Sequence, residues 1–413
     1  MKILLISTSD LHGGAAIAAY RLLNALQTQG VSVKMLVRDK FSNNPHVIKV
    51  GNPLQNKWNF YRERAEIFLR NRLSKKYLFD VSIANTGISI VDTPEFREAD
   101  IIHLHWVNQG MLSLNEIGKI VASGKKIVWT MHDMWAFTGI CHHAGECKTF
   151  RQWCGNCKYM DKHNEYGLPQ NTYSRKIDMY GRQGVTFVAC SKWLEGLAQN
   201  SSLTTEKATL VSIPNPIDIQ QYQPKNRTQI RQQLSLPADK KIVLFAAVKT
   251  SDKRKGMDYL IEASRHLASQ TDDLLFLIAG NKGEKIAKKL ALPAISTGYI
   301  SPERMPDIYN AVDVFVTPSL QENLPNTIME AMSCGTPCVG FNIGGIPEMI
   351  DHKTNGYVSE YKSAEDLAKG IYWTLFEADN KTLSANARKK TVEEYAQEKI
   401  AKRYIEIYDY DKK

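Results

Sequence analysis

KILLISTSDLHGGAAIAAYRLLNALQTQGVSVKMLVRD, residues 2–39, reads as a strand, a helix and a second strand. KILLIST (2–8) is a short apolar run with the look of a buried strand, and SDLHGG (9–14) is a turn. AAIAAYRLLNALQTQG (15–30) places its apolar residues at helical spacing and ends on Gly30, a residue suited to the position just past a helix. VSVKMLVRD (31–39) is the next strand. That order makes a βαβ unit, the beginning of a parallel sheet covered by helices.

The rhythm continues outward from this stretch. Strands are expected at 100–107 (DIIHLHWV), 126–133 (KIVWTMHD) and 185–191 (VTFVACS), with a helical pattern at 114–124. IPNPIDIQQYQP (213–224) has three prolines and a polar tail, which reads as a linker. After it the pattern restarts: a strand at 241–248, a helix at 256–270, a strand at 273–280 and a helix at 301–312 with Ser301 as N-cap. Strands at 313–319 and 336–342, a helix from 363 to 376 and a long helical pattern at 392–407 complete the chain. The expected fold is α/β, with two Rossmann-like, doubly wound domains at 1–214 and 241–392, a hinge at 215–240 and a terminal helix at 393–413. Ligands of such sheets bind beyond the carboxyl ends of the strands, so a cleft between two facing domains is the expected site.

Composition narrows the class. The chain has 413 residues, 43% of them hydrophobic and 23% charged, as in globular proteins with proper cores. Its longest apolar runs fall far short of the roughly 20 residues that span a bilayer. The start, MKILLISTSD, lacks the apolar region of about 7–15 residues found in a secretory signal, and a cytoplasmic location is expected. The net charge of +10 suggests an anionic partner, whether nucleic acid, a lipid surface or a phosphorylated small molecule, or simply a basic solvated surface. Seven cysteines in a cytoplasmic chain read as thiols or metal ligands rather than disulfides.

The chemistry centres on QENLPNTIMEAMSCGTPCVG (321–340), where Glu322 and Glu330 stand eight positions apart at the end of a strand. Pro325 is tolerated in a first helical turn and Asn323 can help to cap it. The start of that helix favours an anion, usually a phosphate. Helical side chains lean towards the N-terminus, so Glu330 points back at the same ligand. Two carboxylates flanking a phosphate make sense as acceptors for hydroxyl groups, Glu322 for a transferred sugar and Glu330 for a ribose. The spacing then measures a nucleoside diphosphate-sugar. Arg254 and Lys255, in SDKRKGMDYL (251–260), are two cations placed to neutralise a diphosphate leaving group without metal.

With AMSCGTPCVG (331–340) and IGGIPEMI (343–350), the chain resembles glycosyltransferase family 4, the retaining enzymes of GT-B fold, in the order of its elements along essentially its whole length. GG after the first strand, HD at 132–133, IPNPID at the hinge and KG at 255–256 all belong to that order. The resemblance implies a nucleotide-sugar donor bound by Lys255, Glu322, Asn323, Leu324, Asn326 and Glu330, with Arg254 or Lys249 as the second cation. It implies that Gly13 and Gly14 face the donor phosphates and the acceptor, and that His132 contacts the transferred sugar. It implies catalysis without a cofactor, a glycan or lipid-linked acceptor, a role in cell-surface polysaccharide biosynthesis, and a last helix that packs back onto the first domain. His103 and His105 read as structural.

Two stretches stay open. Cys141, Cys147, Cys154 and Cys157 lie in CHHAGECKTFRQWCGNC (141–157), a stretch similar to one found in a subset of the family. They suit a structural zinc site, disulfides or reduced packing thiols, and only the last two have C-x₂-C spacing. Cys190, Cys334 and Cys338 read as small core residues. Residues 56–77 carry seven Lys/Arg against two Glu, with Trp58, Tyr61, Ala65, Phe68, Leu69 and Leu73 near one helical face. This is either a helix lying on an anionic membrane at the inner face of the cell, or an ordinary packed helix with a basic outer face. Rival readings are a non-catalytic GT-B binder of sugar nucleotides, a zinc-containing nucleic-acid binder and a Rossmann oxidoreductase. The last would need a G-x-G-x-x-G after a strand, which this chain does not have. A nucleic-acid binder leaves the α/β architecture unexplained, and no nucleic-acid partner is expected.

Overall fold

Lys2–Ser9 (β1), Gly14–Thr28 (α1) and Ser32–Asp39 (β2) form the first βαβ unit. β1 and β2 run parallel, with Lys2 opposite Ser32 and Ser9 opposite Asp39. All of β1 except Lys2 is buried, because a parallel sheet is covered on both faces. α1 turns Ala16, Ala19, Leu22, Leu23 and Leu26 inward, and its alanines let it approach the sheet closely. Val47–Lys49 (β3) and the helix Pro53–Arg70 (α2) follow. Ile101–Leu104 (β4), Lys126–Met131 (β5), Val185–Ala189 (β6) and Thr209–Ser212 (β7) complete a parallel sheet of order β3-β2-β1-β4-β5-β6-β7. The computed structural model describes residues 1–160, 164–181, 184–204 and 208–409.

A second sheet is built from Lys241–Lys249 (β8), Leu274–Asn281 (β9), Ala294–Gly298 (β10), Val314–Thr317 (β11), Cys338–Phe341 (β12) and Gly356–Ser359 (β13). Its order is β10-β9-β8-β11-β12-β13, again parallel. Each sheet reverses its winding beside its first strand, between β1 and β4 in one and between β8 and β11 in the other. Loops leaving the carboxyl ends of those strand pairs frame the places where doubly wound sheets take ligands.

The chain divides into two compact units, Met1–Pro216 with the residues from Ile400 onward, and Ile217–Lys399. In unit 1, Leu4 and Ile6 of β1 join a core with Ile102, Leu104, Ile117 and Trp129 on one face. On the other face Ile3 and Leu5 join Leu22, Leu26, Val128, Ile400, Tyr404 and Tyr408. The last helix, Gln397–Asp409, therefore starts in unit 2 and supplies core side chains to unit 1. Its Tyr408 hydroxyl bonds Nδ1 of His103 at 2.7 Å, and its Tyr404 hydroxyl bonds Oγ1 of Thr130 at 2.8 Å. Residues 410–413, the end of the helix expected over 393–413, lie outside the described residues.

Two local expectations give way to specific residues. Ser301 does not cap a helix: the helix is Met305–Ala311, and Ser301 begins the turn before it. Pro306 lacks an N–H and fits only the first helical turn, which sets the start at Met305. The stretch read as a hinge carries a helix, Arg227–Gln233, within unit 2. Arg231 anchors it, with an Nη2 to Asp313 Oδ2 distance of 2.6 Å and both side chains buried.

Candidate active site

In unit 2 the loops after β8 and β11 are locked together by backbone contact. Gly256 has φ 70°, and a Cβ placed on it would lie 1.7 Å from the Pro318 carbonyl oxygen. Arg254 O accepts the Leu320 N–H at 2.7 Å from the same pair of loops. Only glycine allows this approach, which brings Lys255 onto Glu322: the ammonium bonds Oε1 of the carboxylate. Ser319 Oγ donates to the same oxygen at 3.1 Å and is itself 3.2 Å from Thr317 Oγ1. Gly256→Ala is expected to push the two loops apart and destabilise unit 2 by about 1–3 kcal/mol. Thermal melting checks the effect.

A second glycine clamps the other side of the segment. Gly344, φ 59°, would carry a Cβ only 1.9 Å from the Glu322 carbonyl oxygen, and Asn323 O accepts the Gly345 N–H at 2.7 Å. This is the physical tie between IGGIPE and the glutamates. Asn323 and Leu324 are buried, while Asn326 opens the helix Asn326–Ser333 half-exposed. Pro325, not Asn323, occupies the N-cap, and no side chain caps the helix. Glu330, 7% exposed, accepts the Tyr309 hydroxyl on Oε2 at 2.9 Å. Burial, then the Glu330 charge, pushes the Tyr309 hydroxyl well above its ordinary range, so it remains a donor. Arg254 is turned to Asp252, Nη2 to Oδ2 at 2.7 Å, and Lys249 is exposed at the end of β8.

In unit 1, Gly13 precedes α1 with φ 93°, a conformation that favours glycine, and Gly14 is the first helical residue. Both are exposed beyond β1, and α1 has no side-chain cap. His132 follows β5. Its Nε2 shares a proton with Nδ1 of His105 at 3.0 Å, and its Nδ1 meets Cys190 Sγ at 3.5 Å. His103, its ring tilted 30° to that of His105 with centroids 4.3 Å apart, extends the row into the core. Burial pushes His132 down to about 4 against the pull of Asp133, and burial pushes His103 down to about 3. His132 is thus a neutral hydrogen-bonding group at physiological pH.

Sequence reasoning missed His105, Tyr309 and Ser319 as partners of the named residues. For the histidines the signal was present: His103 and His105 alternate on β4 and its continuation, and Thr130 and His132 do so beside them, so all four share one face. Asp133 is likewise a hub. Its Oδ2 accepts Trp106 Nε1 at 2.8 Å and bonds His142 Nδ1 at 2.7 Å, while Oδ1 accepts the Trp135 N–H at 2.8 Å. Burial opposes its charge, but His142, His143 and the Trp135 N–H hold its carboxyl down at about 2.

The four cysteines of 141–157 are free thiols, Cys141 and Cys154 buried, Cys147 and Cys157 partly so. Among the described residues no three His, Cys, Asp or Glu side chains are grouped to hold a metal ion. Cys154 Sγ accepts the Gly139 N–H at 3.1 Å, and Cys147 Sγ lies 3.1 Å from Thr149 Oγ1. Burial pushes the Cys154 thiol up to about 12. Cys190, Cys334 and Cys338 are buried.

The chain is α/β throughout and has the GT-B fold. Residues 226–390 match the model of the family glycosyl transferases group 1. The sucrose-phosphate synthase of Thermosynechococcus elongatus has the same fold, with a TM-score of 0.68 at 19% identity, over 99% of this chain and 98% of that one. Anabaena HepE, solved in complex with UDP-glucose, has a TM-score of 0.66 at 16% identity, over 99% of this chain and 100% of that one. The lipopolysaccharide 1,2-N-acetylglucosaminetransferase of Salmonella typhimurium is 25% identical over 215 residues, 48% of this chain and 56% of that protein. The chain spans about half the length of the curated relatives it matches.

Proposed function

We propose that the chain is a retaining glycosyltransferase that moves a sugar from a nucleoside diphosphate-sugar to a glycan or lipid-linked acceptor. The observation that carries this reading is the Lys255–Glu322 pair at the switch point of unit 2, with the buried Glu330 on the helix just beyond. Glu322 accepts hydroxyls of the transferred sugar and steadies the Lys255 ammonium. Glu330, already oriented by Tyr309, takes the ribose hydroxyls. As the bond from the anomeric carbon to the diphosphate oxygen breaks, the electron pair goes to the diphosphate. Lys255 and the N-terminus of the helix at Asn326 oppose that growing charge. The acceptor oxygen bonds the anomeric carbon on the same face, and its proton passes to the leaving phosphate oxygen.

The relatives support the setting. A GT-B neighbour binds UDP-glucose, and a relative acts in lipopolysaccharide assembly. Cell-surface polysaccharide synthesis at the cytoplasmic face of a membrane fits both. Among the described residues no helix is long and apolar enough to cross a membrane.

The test is a melting and turnover screen with UDP-, GDP-, dTDP- and ADP-sugars, on the native chain and on Glu330→Gln. One donor is expected to raise Tm selectively. Loss of a charged hydrogen-bond acceptor in Glu330→Gln should weaken that donor about 10- to 100-fold. Silence from every donor would reject the reading, and binding without transfer to any acceptor would leave a sugar-nucleotide binder. Proton NMR of the product then reads the anomeric configuration.

A further inference from the structure

α2 is built inside out. Its inward face is polar: Asn56, Asn59, Glu63 and Arg64 are all buried, with Ile67 the apolar residue among them. Glu63 Oε1 accepts the N–H groups of Ile83 and Ala84 at 2.8 and 2.9 Å. Arg64 lies 2.8 Å from the Glu63 carboxylate and donates to the Val81 carbonyl at 3.1 Å. Thr86 Oγ1 donates to Asn59 Oδ1 at 2.6 Å. These bonds fix the rotation of the helix about its axis.

The outward face is apolar. Leu54, Trp58, Tyr61, Leu69 and, just past the helix, Leu73 are 61–77% exposed. Steps of four and three, with the exposed Ala65 filling the gap, place Leu54 to Leu69 in one stripe about 22 Å long. Exposed Lys57, Arg62, Arg70 and Arg72 flank it, and Lys75 and Lys76 follow. Of the two acids in the segment, Glu63 is buried and Glu66 is paired with Arg70 at 2.9 Å. The surface shown to solvent is therefore apolar and cationic together. The alternative of a packed helix with a merely basic outer face does not describe it.

A stripe of this kind costs free energy in water and gains it when covered. Charge selects the cover. A tryptophan and a tyrosine among leucines, bordered by lysines and arginines, suit the headgroup layer of an anionic bilayer, where aromatic rings sit at the boundary and cations meet lipid phosphates. We propose that α2 lies along an anionic membrane surface with its apolar stripe embedded. Its use in reaching a lipid-linked acceptor rests on the glycosyltransferase reading, whereas the binding itself does not.

The experiment is co-sedimentation of the full chain with phosphatidylcholine vesicles, with and without phosphatidylglycerol, over a salt series. The native chain is expected to bind the anionic vesicles and to release them in salt. Trp58→Ser with Leu69→Ser should lower partitioning about tenfold or more, and Lys57→Glu with Arg62→Glu should abolish the preference for phosphatidylglycerol. Both pairs lie on the outer face, so Tm and donor affinity should stay at native values. Equal sedimentation with both vesicle types, or with neither, overturns the proposal. So does a native dimer, seen by analytical ultracentrifugation, that the Trp58/Leu69 pair converts to monomer, since a protein would then cover the stripe. Donor binding without vesicle binding removes this surface alone; vesicle binding without any donor removes the glycosyltransferase reading alone.

Discussion

Lys255→Ala is expected to lower kcat by about 100- to 1,000-fold, the scale of deleting one preorganised charge-stabilising donor. Removing the ammonium also leaves the Glu322 carboxylate without its cation, facing the diphosphate of the proposed donor. Donor affinity should fall too, because the ground-state diphosphate already carries charge. The double variant Lys255→Ala/Glu322→Gln separates the two effects. If the residues act as a pair, neutralising Glu322 removes the repulsion, and the double variant should bind donor better than Lys255→Ala alone. Simple additivity of the two losses, in kinetics and in calorimetric titration, would show that the pair seen in unit 2 has no joint role.

Acidification from pH 6.5 towards 4 is expected to destabilise unit 1 by roughly 3 kcal/mol through His132 alone. An unfolded histidine takes up its proton as the pH falls through about 6.5. In the fold, burial holds His132 neutral down to about 4 and His103 down to about 3. Between these limits the unfolded chain binds more protons than the native one, so stability drops as pH falls. His105, held well below its ordinary value by burial and by its two histidine neighbours, acts in the same direction. The depressed carboxyl of Asp133 adds its loss only below about 3.8. Lys176 works at the other end. It is buried with its ammonium on the Trp135 and Thr138 carbonyl oxygens, and burial lowers it to about 7. Its protonated form is the costly one in the fold, so its contribution rises with pH from about 7 to 10.5. Melting curves across this range measure the slope. His103→Gln should flatten the acid limb relative to its own midpoint at pH 7, and an unchanged limb would contradict the histidine row.

The reach of the sequence differs from element to element. The β1–α1–β2 unit was legible because burial on both faces forces continuous apolar runs and a helix between them. The glutamate helix was legible because its chemistry is local: strand end, Glu322, helix start and Glu330 lie within one short segment. Partners supplied by distant segments were not. Tyr309 comes to Glu330 from 21 positions earlier, and His105 comes to His132 from 27 positions earlier. The exposed face of α2 shows the limit most clearly. Periodicity marked a stripe of apolar residues, but it does not say which way a stripe points. That is decided by Glu63 and Arg64, which find their partners among residues 78–84.

The last helix carries a consequence for how the protein is made. Tyr404 and Tyr408 reach Thr130 and His103 across 274 and 305 positions. On the ribosome β1, β4 and β5 emerge early, yet one flank of their sheet, including Ile3, Leu5 and Val128, then has α1 over it but not the last helix. Unit 1 must wait with that oily flank only part-covered while Ile217–Lys399 is translated, an interval on the order of 10–40 s. For that time the nascent chain is a client for whatever in the cell shields exposed sheets.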